Sequence, residues 1–87
     1  MNIKVLGPGC AKCHSLEKTV REAVAALKLD AGVEYVTDMK KIMQYHIMAT
    51  PGLVINEKVV LSGKVPTKTE AEQLIMNALE DEDTKNK

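Results

Sequence analysis

The chain has no tryptophan and no phenylalanine, and only two tyrosines among its 87 residues. An aromatic core is therefore excluded, and Val, Leu, Ile, Met and Ala must fill the interior. Intrinsic fluorescence will be weak. The aromatic platforms on which single-stranded nucleic acid stacks are also missing. Charge of one sign is lacking too: twelve basic and twelve acidic residues cancel, leaving no net field to draw in a polyanion, so nucleic acid is not expected as a partner. No apolar run approaches the roughly 18–20 residues of a membrane span, and the opening Met-Asn-Ile-Lys-Val-Leu meets Gly7-Pro8-Gly9 too early for a signal-peptide core. The expected setting is the cytoplasm. Only two cysteines occur, at positions 10 and 13. In a reducing compartment that spacing points to catalysis or metal binding rather than to a structural staple.

What is present fits one small domain. A chain of this length buries about 60–65 % of its unfolded surface, which leaves a modest core. Residues 2–6 alternate, with Ile3 and Val5 on one face and Lys4 on the other, and predict a strand ended by the Gly-Pro-Gly loop. From Cys10 the period becomes helical. Leu16, Val20, Ala23, Val24 and Leu27 share one face, and Glu17, Lys18, Arg21 and Glu22 lie mostly opposite. Asp30-Ala31-Gly32 should stop this helix, and residues 33–37 read as a second strand. Strand, helix and strand over this length imply a right-handed crossover and a parallel pair.

Asp38 is a candidate N-cap for a shorter helix with Met39, Ile42 and Met43 facing inward. That helix must end by Ala49, because Thr50 precedes a proline and is pushed towards extended backbone. The apolar run Gly52-Leu53-Val54-Ile55 predicts a strand buried on both faces. Asn56-Glu57 suits a two-residue hairpin into Lys58-Val59-Val60-Leu61. Thr67 and Glu70 form a potential capping box, followed by the stripe Ala71, Leu74, Ile75, Ala78 and Leu79. The order is β-α-β-α-β-β-α, an α/β arrangement with helices on both faces of a four-stranded mixed sheet. The expected organisation is a domain over residues 1–80 and a flexible charged tail over 81–87.

Cys10-Ala11-Lys12-Cys13 is the chemically distinctive feature, and it lies where the first strand hands over to the first helix. Helix N–H groups and the positive dipole end favour a thiolate there, lowering thiol pKa values from about 8.5 towards roughly 3.5–7.5. Lys12 adds a cation, and His14 adds another when protonated. On this reading Cys10 attacks a substrate disulfide and Cys13 resolves the mixed disulfide, with no metal and no organic cofactor. Other uses of the pair stay open. A closed zinc site needs four ligands and would have to recruit both His14 and His46. A two-coordinate Cu(I) site needs only the two thiolates. A purely structural disulfide would close too small a loop to add much stability. Met39, Met43 and Met48 surround the second helix as gap-fillers or as flanks of the site. Tyr45 and His46 are expected on the solvent side of that helix.

The strand–loop–Cys-x-x-Cys–helix start, taken with Ala49-Thr50-Pro51-Gly52-Leu53-Val54-Ile55-Asn56, resembles the small glutaredoxin-like thioredoxins of bacteria and archaea, also called small redox-active disulfide proteins. The resemblance runs from Met1 to about Leu79. It implies a thioredoxin-like fold with strand order 2-1-3-4, and a cis Pro51 seated against the active-site disulfide. Thr50 would then offer its backbone to an extended substrate segment, with Lys12 beside it. It also implies disulfide-containing protein or small-molecule substrates, while the lack of an obvious exposed apolar stripe makes a monomer the expected state. A thioredoxin-reductase-like flavoenzyme would be the electron donor. Three departures matter. No proline stands between the cysteines, so a reduction potential does not carry over. The first strand holds Lys4 where thioredoxins keep a buried Asp. Residues 62–68 also lack the acidic pair with which glutaredoxins hold glutathione. Copper-chaperone modules share the strand–Cys-x-x-Cys–helix start but run β-α-β-β-α-β and end on a strand. An inactive adaptor of the same fold is the third reading, opposed by two intact cysteines.

Overall fold

The computed structural model describes residues 2–47 and 49–85, with side chains described as far as Glu80. Seven elements follow in the expected order: β1 (Asn2–Leu6), α1 (Ala11–Ala26), β2 (Gly32–Val36), α2 (Met39–Met43), β3 (Gly52–Ile55), β4 (Lys58–Ser62) and α3 (Lys68–Lys85). The strands form one sheet in the order β2-β1-β3-β4. β1 and β2 run parallel, and β3 is antiparallel to both β1 and β4. This is the thioredoxin-like α/β architecture.

Strand alternation divides the interior in two. On one face Ile3, Val5, Leu53 and Ile55 meet Leu16, Val20, Ala23 and Val24 of α1 and Ala71 and Ile75 of α3. On the other face Leu6, Val36 and Val54 meet Ile42 of α2, with Tyr45 and Ile47 packed against them. β3 is buried at every position because it serves both faces.

Helix ends follow the local chemistry. α1 stops earlier than the Asp30-Ala31-Gly32 signal. Lys28 takes a left-handed φ of 55°, while the Leu29 and Lys28 N–H groups donate to Val24 and Ala25 carbonyls at 3.2 and 3.1 Å. This Schellman arrangement satisfies the terminal carbonyls without a glycine. Asp38 caps α2 by accepting from the Lys40 N–H at 3.0 Å. The capping box before α3 forms in both directions, Thr67 N–H to Glu70 at 3.0 Å and Glu70 N–H to Thr67 Oγ1 at 3.2 Å. α3 continues past Leu79 to Lys85, so the expected boundary at residue 80 falls inside a helix. The flexibility expected of 81–87 lies outside the described side chains.

Two expectations are corrected. Met39 and Met43 do not face inward; they are 50 % and 68 % exposed, and only Ile42 of α2 is buried. The core beneath this five-residue helix is small, and Tyr45 and Ile47 fill its remaining space. Tyr45 is not on the solvent side: it is half-buried, whereas His46 is exposed with φ 56°. Met48 lies outside the described residues. β4 carries an irregularity that no sequence pattern addressed. Leu53 pairs with Leu61 but Val54 pairs with Val59, so Val60 bulges out of register. The bulge turns both Val60 and Leu61 towards the α1/α3 core.

Candidate active site

The end of the sheet that carries the cysteines is set by register. Leu6 pairs with Val36 on one side and with Gly52 on the other, and Gly52 pairs with Ser62. The loop after β1, the start of α2, the residues just before β3 and the end of β4 therefore meet at one rim. Gly7, Thr50 and Pro51 are brought together there although more than forty residues separate them.

Gly7 donates to the Val36 carbonyl at 3.0 Å, which carries the β1–β2 ladder one residue further. It is buried directly beneath Cys13: a Cβ built on it would lie 2.8 Å from Cys13 Cβ and would overlap the sulfur. Only a glycine lets the helix start this close to the strand. Gly9 follows with φ 99°, a conformation side chains disfavour, and turns the chain into α1.

Cys10 is the N-cap of α1, with extended backbone (φ −76°, ψ 167°). Its Sγ accepts from the Cys13 N–H at 3.2 Å. A sulfur takes the place usually held by a Ser or Asp oxygen, and the same donor would stabilise a thiolate. Cys10 and Cys13 are joined in a disulfide with their Cα atoms 5.0 Å apart. Their exposures differ sharply: Cys10 is on the surface and Cys13 is 0 % exposed. Lys12 is exposed beside them. The His14 ring turns away to meet the Tyr35 ring edge-on at 5.4 Å.

Across the rim, the Thr50–Pro51 bond is cis, as the resemblance implies, and Pro51 is buried. Its carbonyl accepts from the Gly63 N–H at 2.8 Å. Thr50 is half-buried. Ile47, Ala49 and Thr50 make no hydrogen bonds among the described residues. No group of three or more His, Cys, Asp or Glu side chains is placed to hold a metal among the described residues, and no helix is long and apolar enough to cross a membrane.

The family model described as "Thioredoxin domain" matches residues 1–76. The chain belongs to the thioredoxin-domain family. It is 37 % identical over 75 residues to the thioredoxin of Methanothermobacter thermautotrophicus, covering 86 % of this chain and 97 % of that one. Against the thioredoxin of Methanocaldococcus jannaschii it is 33 % identical over 78 residues, 90 % of each chain. With the Cys10–Cys13 disulfide in place, the protein is a thiol–disulfide oxidoreductase.

Two sets of residues at or near the site escape a reading of motifs. Gly7 continues the Ile3, Val5 alternation by one step, so period two alone places it beneath α1; the Gly-Pro-Gly run disguises it as an ordinary turn. Lys4, Tyr45 and Glu57 converge on the α2 face by hydrogen bonds across 41, 53 and 12 residues of sequence. No local pattern announces that meeting.

Proposed function

We propose that Cys10 is the attacking thiol and Cys13 the resolving thiol of a dithiol reductant for disulfide substrates. The carrying observation is the asymmetry of the pair: an exposed N-cap sulfur that accepts a helix N–H, and a partner with no exposure. In the reduced protein the Cys10 thiolate attacks one sulfur of a substrate disulfide, forms a mixed disulfide and expels the other sulfur as a thiolate. Deprotonated Cys13 then attacks Cys10 Sγ, which releases the second substrate thiolate and closes the Cys10–Cys13 disulfide. Two electrons pass to the substrate, and its thiolates take up two protons.

Thr50 and Pro51 form the docking edge on this reading. Thr50 backbone groups have no hydrogen-bond partner among the described residues, and an extended peptide can satisfy them by strand addition. Lys12 supplies a cation at the mouth. The electron donor is a thioredoxin-reductase-like flavoenzyme rather than glutathione. In support, the α3 N-terminus that could attract a small carboxylate is occupied by Glu70, whose carboxyl the Thr67 N–H and hydroxyl hold below its usual range. A monomer in the cytoplasm is the working state. Both sheet edges resist pairing with another copy: Arg21 donates to the Val33 carbonyl on β2 at 3.4 Å, and β4 is bulged.

The test equilibrates metal-free protein in defined thiol–disulfide buffers. A reversible two-electron transition between about −180 and −300 mV is expected; its absence would overturn the reading and favour Cu(I) binding by the same thiolates. Single variants then separate the roles. Cys13→Ser should accumulate a mixed disulfide with substrate and Cys10→Ser should not, and the reverse pattern would exchange the two assignments.

A further inference from the structure

The segment that presents Thr50 is held from one side by a polar device on the α2 face. Tyr45 Oη accepts from Lys4 Nζ at 3.0 Å and donates to Glu57 at 3.1 Å, while Lys4 Nζ donates to Glu57 Oε1 at 2.9 Å. The Lys4 ammonium also lies 5.7 Å from the Tyr45 ring centroid. Three elements thus close a triangle: the middle of β1, the turn after α2 and the β3–β4 hairpin.

Two corners of that triangle are anchored independently of the third. Lys4 sits within the β1 ladders to β2 and β3. Glu57 follows Asn56, whose N–H and Oδ1 are bonded to the Asn2 carbonyl at 2.7 Å and N–H at 3.0 Å. Tyr45 is tied by its backbone only to the preceding turn, its N–H donating to the Ile42 carbonyl at 3.1 Å, and the stretch beyond His46 lacks even that, since Ile47, Ala49 and Thr50 have no hydrogen bonds among the described residues. What fixes this stretch is therefore side-chain anchorage: the Tyr45 ring and Ile47 in the second core, and Ile47 close over Gly52, where an added Cβ would lie 3.0 Å from Ile47 Cδ1.

We propose that Lys4, Tyr45 and Glu57 act as a latch that positions Ile47, Ala49 and Thr50 so that Thr50 offers its backbone to an extended protein substrate. The three are positioning residues, and the inference rests on the reading of Thr50 as the docking edge. The latch acts on recognition of a chain that must lie along Thr50, not on the sulfur chemistry. A small disulfide that needs no strand docking should not sense it.

The test uses the full chain, pre-reduced, with insulin as the protein disulfide and 5,5′-dithiobis(2-nitrobenzoate) as the small one. Tyr45→Phe keeps the ring in its packing and removes the hydroxyl; Glu57→Gln is the second variant should Tyr45→Phe fold poorly. For insulin, KM should rise about three- to tenfold, the scale of one lost hydrogen bond, with kcat unchanged. The rate with the small disulfide and the midpoint potential should stay within about twofold and a few millivolts of the parent. Amide exchange at Tyr45 and His46, whose N–H groups donate to the Ile42 and Met43 carbonyls, should accelerate in step, and Lys4→Arg, which keeps a donor to both partners, should remain near the parent. Unchanged amide exchange would overturn the latch itself. Faster exchange with an unchanged insulin KM would overturn the role of Thr50 instead, and a parallel loss on both substrates would assign the triad to stability alone.

Discussion

The two faces of the sheet are built differently. The α1/α3 face closes over ten buried residues, all aliphatic, from both helices and the two central strands. The α2 face closes over four and is completed by a tyrosine ring, Ile47 and the stem of a lysine only 20 % exposed in its side chain. Burial of apolar surface is the dominant favourable term in folding, so the larger face carries most of the stability. The smaller face is left to position a segment. On the proposed reading a thin face beside Thr50 has a physical rationale: a stretch that docks substrate must leave backbone groups unpaired, and a thick core would bury or pair them.

The largest test of this contrast is a pair of truncations. Leu16→Ala, in the centre of the α1/α3 core with 0 % exposure, should cost about 3–5 kcal/mol, the upper range for buried leucine. That is a large fraction of the roughly 4–13 kcal/mol available to a chain of this size. Ile42→Ala, in the small core, should cost about 2–3 kcal/mol, because a short helix can settle into part of the vacated space. Equal losses in urea unfolding would break the comparison.

Gly7→Ala comes next, and it tests the seam between the strand and the cysteines. The added methyl overlaps the Cys13 sulfur and lies 2.8 Å from its Cβ, and the bond to Cys10 keeps that sulfur from swinging away. Overpacking of this kind costs about 1–3 kcal/mol. The midpoint potential should move as well, because the methyl displaces the Cys13 sulfur. A Gly7→Ala protein with parental stability and potential would show that α1 does not start as close to β1 as described.

Much of this was readable before any coordinates. Period-two and helical patterns placed every element, and the N-cap Asp38, the Asn56-Glu57 hairpin and the Thr67–Glu70 box formed as their local chemistry predicts. The cysteines and the Thr50–Pro51 pair were legible because their spacing and neighbours form a recognisable pattern. The misreadings share one cause. Periodicity says which residues of α2 could face inward but not how much room waits there; with Tyr45 and Ile47 filling it, Met39 and Met43 were turned out. The Val60 bulge and the Lys4–Tyr45–Glu57 triangle depend on partners far away in sequence, where a single-strand pattern carries no information.

Titration offers a finer way to separate the faces. Among the described residues no charged or polar residue is buried on either side, but Lys4 is held protonated well above its ordinary value, first by the Tyr45 hydroxyl and then by Glu57. A raised pKa means that the Lys4 contribution is present below about pH 10 and is lost as the pH climbs through the folded value. Glu57 is shifted down by Lys4 and then Tyr45, so its contribution is present above about pH 4.5 and is lost on acidification. The acid limb is shared with Glu70 at the start of α3; the alkaline limb belongs to the α2 face. Amide exchange at Tyr45 and His46 should therefore accelerate above about pH 10 beyond the ordinary base-catalysed trend, and Lys4→Met should abolish that excess. An excess that survives in Lys4→Met would assign it to another group.

The smallest effect is expected where the sequence pattern predicts a large one. Met39 and Met43 lie one helical turn apart on α2 and would be core residues by spacing alone, in which case polar replacement would cost about 2–5 kcal/mol each. Their exposures of 50 % and 68 % leave little transfer energy to lose, and surface changes of this kind stay within about 0.5 kcal/mol. Met39→Gln and Met43→Gln, singly and together, should therefore unfold at nearly the parental urea concentration. The double variant is the sharper measurement. If the methionines packed against each other, each single replacement would already lose the shared contact and the double variant would cost less than the sum of the singles; if they dipped into the small core, each single would cost well above about 0.5 kcal/mol. Simple additivity near zero would mean that Ile42 alone ties α2 to the sheet, and that the thin face is as thin as its four buried residues indicate.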